Sequence, residues 1–237
     1  MNRQAQAAVL FLLGASLLHA GATDLYLRYV KAGLQPLLLA SGAVLIATAL
    51  ATAWYERRKA KEPKEPHPHT EPRVSWLLLL PLLALILVAP PALGSYSATR
   101  TGTALQEPVA YPALPAGDPL PLAVADYAGR AAYDHGRTLT GRRVALTGFV
   151  AFDEDGTPYL VRMTLNCCAA DAQPVKVGLT GRVPPVLQPD TWLQVTGTYT
   201  PRLTRDPVND GPIPFLEVAT AKPVAAPRDP YDETWNN

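Results

Sequence analysis

The sequence predicts a membrane α-helical anchor of three transmembrane helices followed by a small all-β soluble domain, an OB-like five-stranded barrel. Three observations carry this. Residues 1–94 hold three long apolar stretches, residues 143–220 hold five short segments of alternating polarity, and a Pro-rich stretch separates the two regions. The first pattern fits helices in lipid, the second fits half-buried strands.

The apolar stretches run over about 5–22, 33–55 and 75–94. Each approaches the roughly 20 residues that an α-helix needs to cross a hydrocarbon core. Trp54–Tyr55 closes the second and Trp76 opens the third, positions where amphipathic rings favour the headgroup layer. Pro90–Pro91 removes successive backbone donors and ends the third. A cleaved signal is the alternative reading of the first stretch, and it leaves two spans.

The charge pattern predicts an orientation. Arg3, Arg57, Arg58, Lys59, Lys61, Lys64 and Arg73 fall on one side, against Arg28, Lys31 and Arg100 on the other. The positive-inside rule then predicts the N-terminus inside and the C-terminal domain outside, with a multi-pass cell-membrane location.

Residues 95–121 are rich in Pro, Gly, Ala and Ser and read as a spacer. The domain proper is expected over 122–225, with a tail at 226–237. It opens with a helical pattern over Leu122–Gly136, where Val124, Tyr127, Ala128, Ala131 and Ala132 share a face. Strands follow at Arg143–Phe152, Tyr159–Leu165, Pro174–Leu179, Trp192–Thr200 and Pro214–Thr220, the first two joined by a turn at Asp153–Gly156. Phe149, Phe152, Tyr159, Trp192 and Tyr199 sit at strand spacing and are expected mainly in the core. A small β sandwich is the alternative fold.

From residue 95 onward the chain carries 15 acidic against 12 basic side chains. A mildly acidic barrel with no basic run disfavours phosphate-backbone recognition, so no nucleic-acid partner is expected. There is no Gly-x-Ser-x-Gly, Walker, His-Glu-x-x-His or dinucleotide motif, so no catalytic residue is assigned and the chain is read as a non-enzyme. Asp153–Glu154–Asp155–Gly156 lacks the remaining ligands of a cation loop and reads as a turn.

The chemistry concentrates in Asn166–Cys167–Cys168–Ala169–Ala170–Asp171, which holds both cysteines of the chain. Neighbours in a strand point to opposite faces, so the two thiols converge only if the strand ends or bulges there. Three readings stand open. An oxidising exterior links the pair as a disulfide; the thiolates and Asp171 hold a soft or borderline metal ion such as zinc, with a His or a second protomer as possible further ligand sources; or the sulfurs are small buried hydrophobes. His67 and His69 in the basic loop are weaker ligand candidates; His19 inside the first span is an ionisable group at costly membrane depth, or lies near the headgroups with Asp24, and His135 reads as part of a helix end.

Three elements together resemble the YcgQ-like family of bacterial membrane proteins: Pro90–Pro91 with Leu93–Gly94, Thr147–Gly148–Phe149–Val150, and Cys167–Cys168–Ala169–Ala170–Asp171–Ala172. Trp192–Leu193–Gln194–Val195–Thr196–Gly197 also fits. The resemblance implies an accessory subunit that pairs with an integral membrane permease in the bilayer, and it brings no catalytic residues. A membrane-tethered thiol-redox or metal-binding protein and a non-catalytic envelope interaction protein are the alternatives.

Overall fold

The computed structural model describes residues 3–59, 77, 79–88 and 90–233. The chain forms two compact units, one of residues 1–26 and 32–91, the other of residues 27–31 and 92–237.

The first unit contains helices α1 (Arg3–Ala22), α2 (Gln35–Lys59) and α3 (Leu79–Leu87). Two helical segments, Arg3–Ala22 and Ala32–Arg58, are long and apolar enough to cross a membrane, with mean hydropathies of 1.6 and 1.9. Helices α1 and α2 run antiparallel, with Gly14 against Gly42 in the middle and an Arg3–Glu56 ion pair of 3.1 Å at one end. A Cβ on Gly14 would lie 2.8 Å from the Gly42 carbonyl oxygen, so the close approach requires glycine there. Ser16, Ser41, Thr48 and Thr52 turn their hydroxyls back onto carbonyls four residues earlier, which leaves no free donor on these apolar helices from those groups. Leu37, Val44, Leu50 and Trp54 are exposed, a surface suited to lipid. Of the expected third span, α3 covers Leu79–Leu87; residues 75, 76, 78 and 89 lie outside the described residues, as do His67, His69 and the basic loop from residue 60.

The second unit contains α4 (Ser95–Arg100), β1 (Leu120–Pro121), α5 (Val124–Ala132), β2 (Arg143–Phe152), β3 (Pro158–Leu165), β4 (Gln173–Gly181), β5 (Trp192–Arg205), β6 (Pro212–Pro223) and β7 (Tyr231–Glu233). Strands β2, β3, β4, β6 and β5 close in that order into a barrel. Every junction is antiparallel except β4 with β6. One parallel pair in an otherwise antiparallel five-strand ring is the Greek-key arrangement of OB type, as the five alternating segments predict.

Val144, Leu146 and Val150 of β2 face the interior, with Leu160, Val177, Leu193, Val195 and Leu216. Helix α5 touches all five barrel strands and closes one end, with Val124, Tyr127, Ala128 and Ala131 buried. The Tyr127 hydroxyl donates to the Phe215 carbonyl at 2.6 Å, so its polar tip enters the core satisfied.

The opposite face of β2 and β3 is also covered. Phe149, Ala151, Tyr159, Val161 and Met163 pack there with Ala98 of α4 and Tyr231 of β7. Residues 95–121 are therefore attached to the barrel, in place of the expected free spacer. The Thr103 N–H donates to Asp206 at 3.0 Å and the Ala104 N–H to the Pro174 carbonyl at 2.8 Å. The expected tail likewise contributes β7, parallel to β3. Main-chain N–H groups and a few buried side chains hold these segments, and neither leaves a mark in composition.

Candidate metal centre at the cysteine corner

Strand β3 ends at Leu165, and the chain bends through Asn166–Cys168 into a single 3-10 turn at Ala169–Asp171. That ending is what lets neighbouring thiols converge. Asp171 organises the bend: its carboxylate accepts the N–H of Asn166 at 3.1 Å and the N–H of Cys167 at 2.9 Å. It also accepts the thiol of Cys167 at 2.9 Å. Ala169 and Ala170 form the turn, and small side chains keep it open to the residues around it.

The two sulfurs stand 3.7 Å apart as free thiols, well beyond the roughly 2.05 Å of a disulfide. Cys167 is exposed and Cys168 half-buried, so neither acts as a core hydrophobe. One donor atom from each of Cys167, Cys168 and Asp171 falls within 4.8 Å of the others. Zinc–thiolate bonds of about 2.3 Å at a tetrahedral angle put two sulfurs roughly 3.8 Å apart. The observed sulfur separation already matches that edge, and the donor set fits a soft or borderline cation.

The protons are distributed accordingly. The hydrogen bond to Asp171, followed by that with Cys168, pushes the Cys167 thiol up to about 12. Burial works to raise Asp171, but the Cys167 thiol and the N–H groups of Cys167, Asn166 and Cys168 outweigh it and hold the carboxyl below its ordinary value. The Cys167 thiol therefore keeps its proton and donates it to the Asp171 carboxylate.

A segment that sequence reasoning missed frames this corner. Residues Leu27–Lys31 belong to the barrel unit. Val30 forms an antiparallel bridge with Cys168, the Lys31 N–H donates to the Cys167 carbonyl at 3.1 Å, and the Ala169 N–H donates to the Tyr29 carbonyl at 2.7 Å. Tyr231 adds a further tie, its hydroxyl donating to the Arg28 carbonyl and accepting the Leu93 N–H, each at 3.0 Å. A three-residue pairing of this kind has no periodicity to detect.

Asn166 and Asp171 also line a cleft of about 580 Å³, walled by residues 104–110 and by Thr164 and Gln173. The other candidates lie elsewhere. His19 is exposed on α1, and His135 takes a left-handed φ of 50° just after α5. Asp153 accepts the Tyr159 hydroxyl at 2.7 Å and closes the β2–β3 turn, as a turn reading predicts.

Residues 126–232, somewhat under half of the chain, match the family model described as the DUF1980 C-terminal domain. The match covers the barrel and the cysteine corner, and its description assigns no activity. No curated protein and no solved structure matches the chain.

Proposed function

We propose that this chain is a membrane-anchored accessory subunit of a transport complex, whose barrel domain takes a soft or borderline metal ion, zinc being the type case, at Cys167, Cys168 and Asp171. The observation that carries this is the convergence of two sulfurs and a carboxylate oxygen within 4.8 Å at an accessible corner. The apolar helices, two of them long enough to span, are the proposed anchor, and the bias of basic residues is what favours an outer-face barrel. The permease partner follows from the resemblance carried by the Cys-Cys-Ala-Ala-Asp-Ala run and from the anchor, and it belongs to the same proposal.

Within the site the residues divide the work. Cys167 and Cys168 supply soft anionic ligands once deprotonated, and Asp171 supplies a hard oxygen and accepts the departing proton's hydrogen bond beforehand. The backbone N–H groups on Asp171 and the Val30 bridge fix the loop, so little ordering remains for the moment of binding.

Metal analysis of the full chain purified in detergent, with thiol counting before and after reduction, tests the site. The expected result is one zinc per chain, lost in both Cys167→Ser and Cys168→Ser. A reducible disulfide that forms in place of bound metal would move the assignment to thiol redox chemistry. Co-purification from native membranes tests the complex, and recovery of the chain without any polytopic partner overturns that half.

A further inference from the structure

Three protein donors leave a tetrahedral ion one position short, and the cleft beside the corner offers the means to fill it. From this geometry we infer that the cation is taken together with a small amino-acid-type chelator, its nitrogen donor on the ion and its body in the cleft. The inference rests on the metal-site reading above.

Asp171 is the shared wall. Its carboxylate meets the Cys167 thiol, and the same residue, with Asn166, borders the cleft. Neither cysteine lines the cleft, so Asp171 is the link by which an ion at the corner would reach it. The volume of about 580 Å³ falls in the range of small-ligand sites and exceeds what a hydrated ion alone requires. The cleft thus has room for a small organic molecule beside the ion.

The lining selects its chemistry. Gln106, Glu107, Thr164, Asn166, Asp171 and Gln173 supply the polar surface, over an apolar floor that includes Leu105 and Val175. No Lys, Arg or His belongs to that lining, which disfavours phosphates and polycarboxylates. Carboxylates suit an ammonium group, and the three carboxamides can donate to a single carboxylate. An α-amino acid carries both groups, and histidine adds an imidazole nitrogen for the open position. The residues that build the wall are fixed: the Ala104 N–H is bonded to the Pro174 carbonyl, and the Thr164 hydroxyl to the Gln173 carbonyl at 3.1 Å.

Isothermal titration of the full chain in detergent tests this, using zinc alone, histidine alone, and histidine after zinc. The expected result is histidine binding that appears only with zinc present and weakens at least tenfold in Glu107→Lys and Gln173→Arg. Both residues are exposed, so these variants keep the fold, and their affinity for zinc alone falls by no more than about threefold, the screened repulsion of the added positive charge. Zinc binding without any histidine effect, or a histidine effect that both variants leave unchanged, overturns the chelator while the metal site stands. Absence of zinc binding overturns both.

Discussion

Asp206→Ala is the perturbation with the largest expected effect on the barrel. The Asp206 and Lys176 side chains are 0% and 5% exposed and meet at 2.7 Å. Asp206 also accepts the N–H groups of Thr103 at 3.0 Å and Val208 at 2.9 Å, while Lys176 donates to the Thr101 carbonyl at 3.0 Å. Removing the carboxylate leaves a buried ammonium with one neutral partner, which costs roughly 3–5 kcal/mol. The buried Thr103 N–H adds on the order of 1 kcal/mol, and the exposed Val208 N–H finds water. The expected loss is about 5 kcal/mol, comparable to much of a domain's whole stability. Denaturant unfolding of the full chain in detergent, followed by tryptophan fluorescence, measures it. Lys176→Met/Asp206→Ala recovers most of the loss, because removing the ammonium together with the carboxylate leaves no unpaired buried charge. A loss below about 1 kcal/mol for Asp206→Ala would refute the view that this pair pins residues 101–104, and with them the cleft wall, to β4.

Zinc affinity is expected to rise with pH between about 6 and 8, close to tenfold per unit for each thiol proton displaced; competition against a chromophoric chelator reads the slope, and a flat profile contradicts thiolate ligation. Asp134 is expected to contribute to acid sensitivity. Burial raises its pKa, but Arg137 and Thr138 outweigh this and depress it, so its stabilisation is present above the ordinary carboxylate range and is lost as pH falls through the depressed value. Asp134→Asn should flatten that acid limb in pH-dependent thermal melts. Tyr231→Phe removes the bonds to Arg28 and Leu93 and should speed amide exchange at Leu93 while leaving zinc affinity within about threefold, since no donor atom is touched. Gly14→Leu places a side chain against Gly42 and Ile46, and faster exchange across α1 in detergent should report the separation of the two helices.

The barrel was readable because its chemistry is periodic. Val144, Leu146 and Val150 point inward at every second position, and turn residues at Asp153–Gly156 mark the hairpin. The cysteine corner was readable as a cluster, because Asp171 lies close enough in sequence to close one turn on Cys167. Its surroundings were not readable. Proline-rich composition suggested a detached linker over 95–121, yet Ala98 and Leu105 are buried and Thr103 is tied to a residue more than one hundred positions away. The Leu27–Lys31 segment pairs through main-chain bonds, which depend on where the chain passes and not on its side chains, and nothing in the sequence shows that the Tyr231 hydroxyl reaches Arg28.

The bridge between Val30 and Cys168 has a practical consequence for anyone dissecting this molecule. A fragment begun after residue 91 would keep Cys167, Cys168 and Asp171 yet lack the peptide that borders them, with the Cys167 carbonyl and the Ala169 amide stripped of their mates. Weak ion capture by such a fragment would measure the missing border and not the ligands. The polypeptide has to be assayed with this strand in place, because Tyr29–Lys31 border a corner whose side chains are written far downstream.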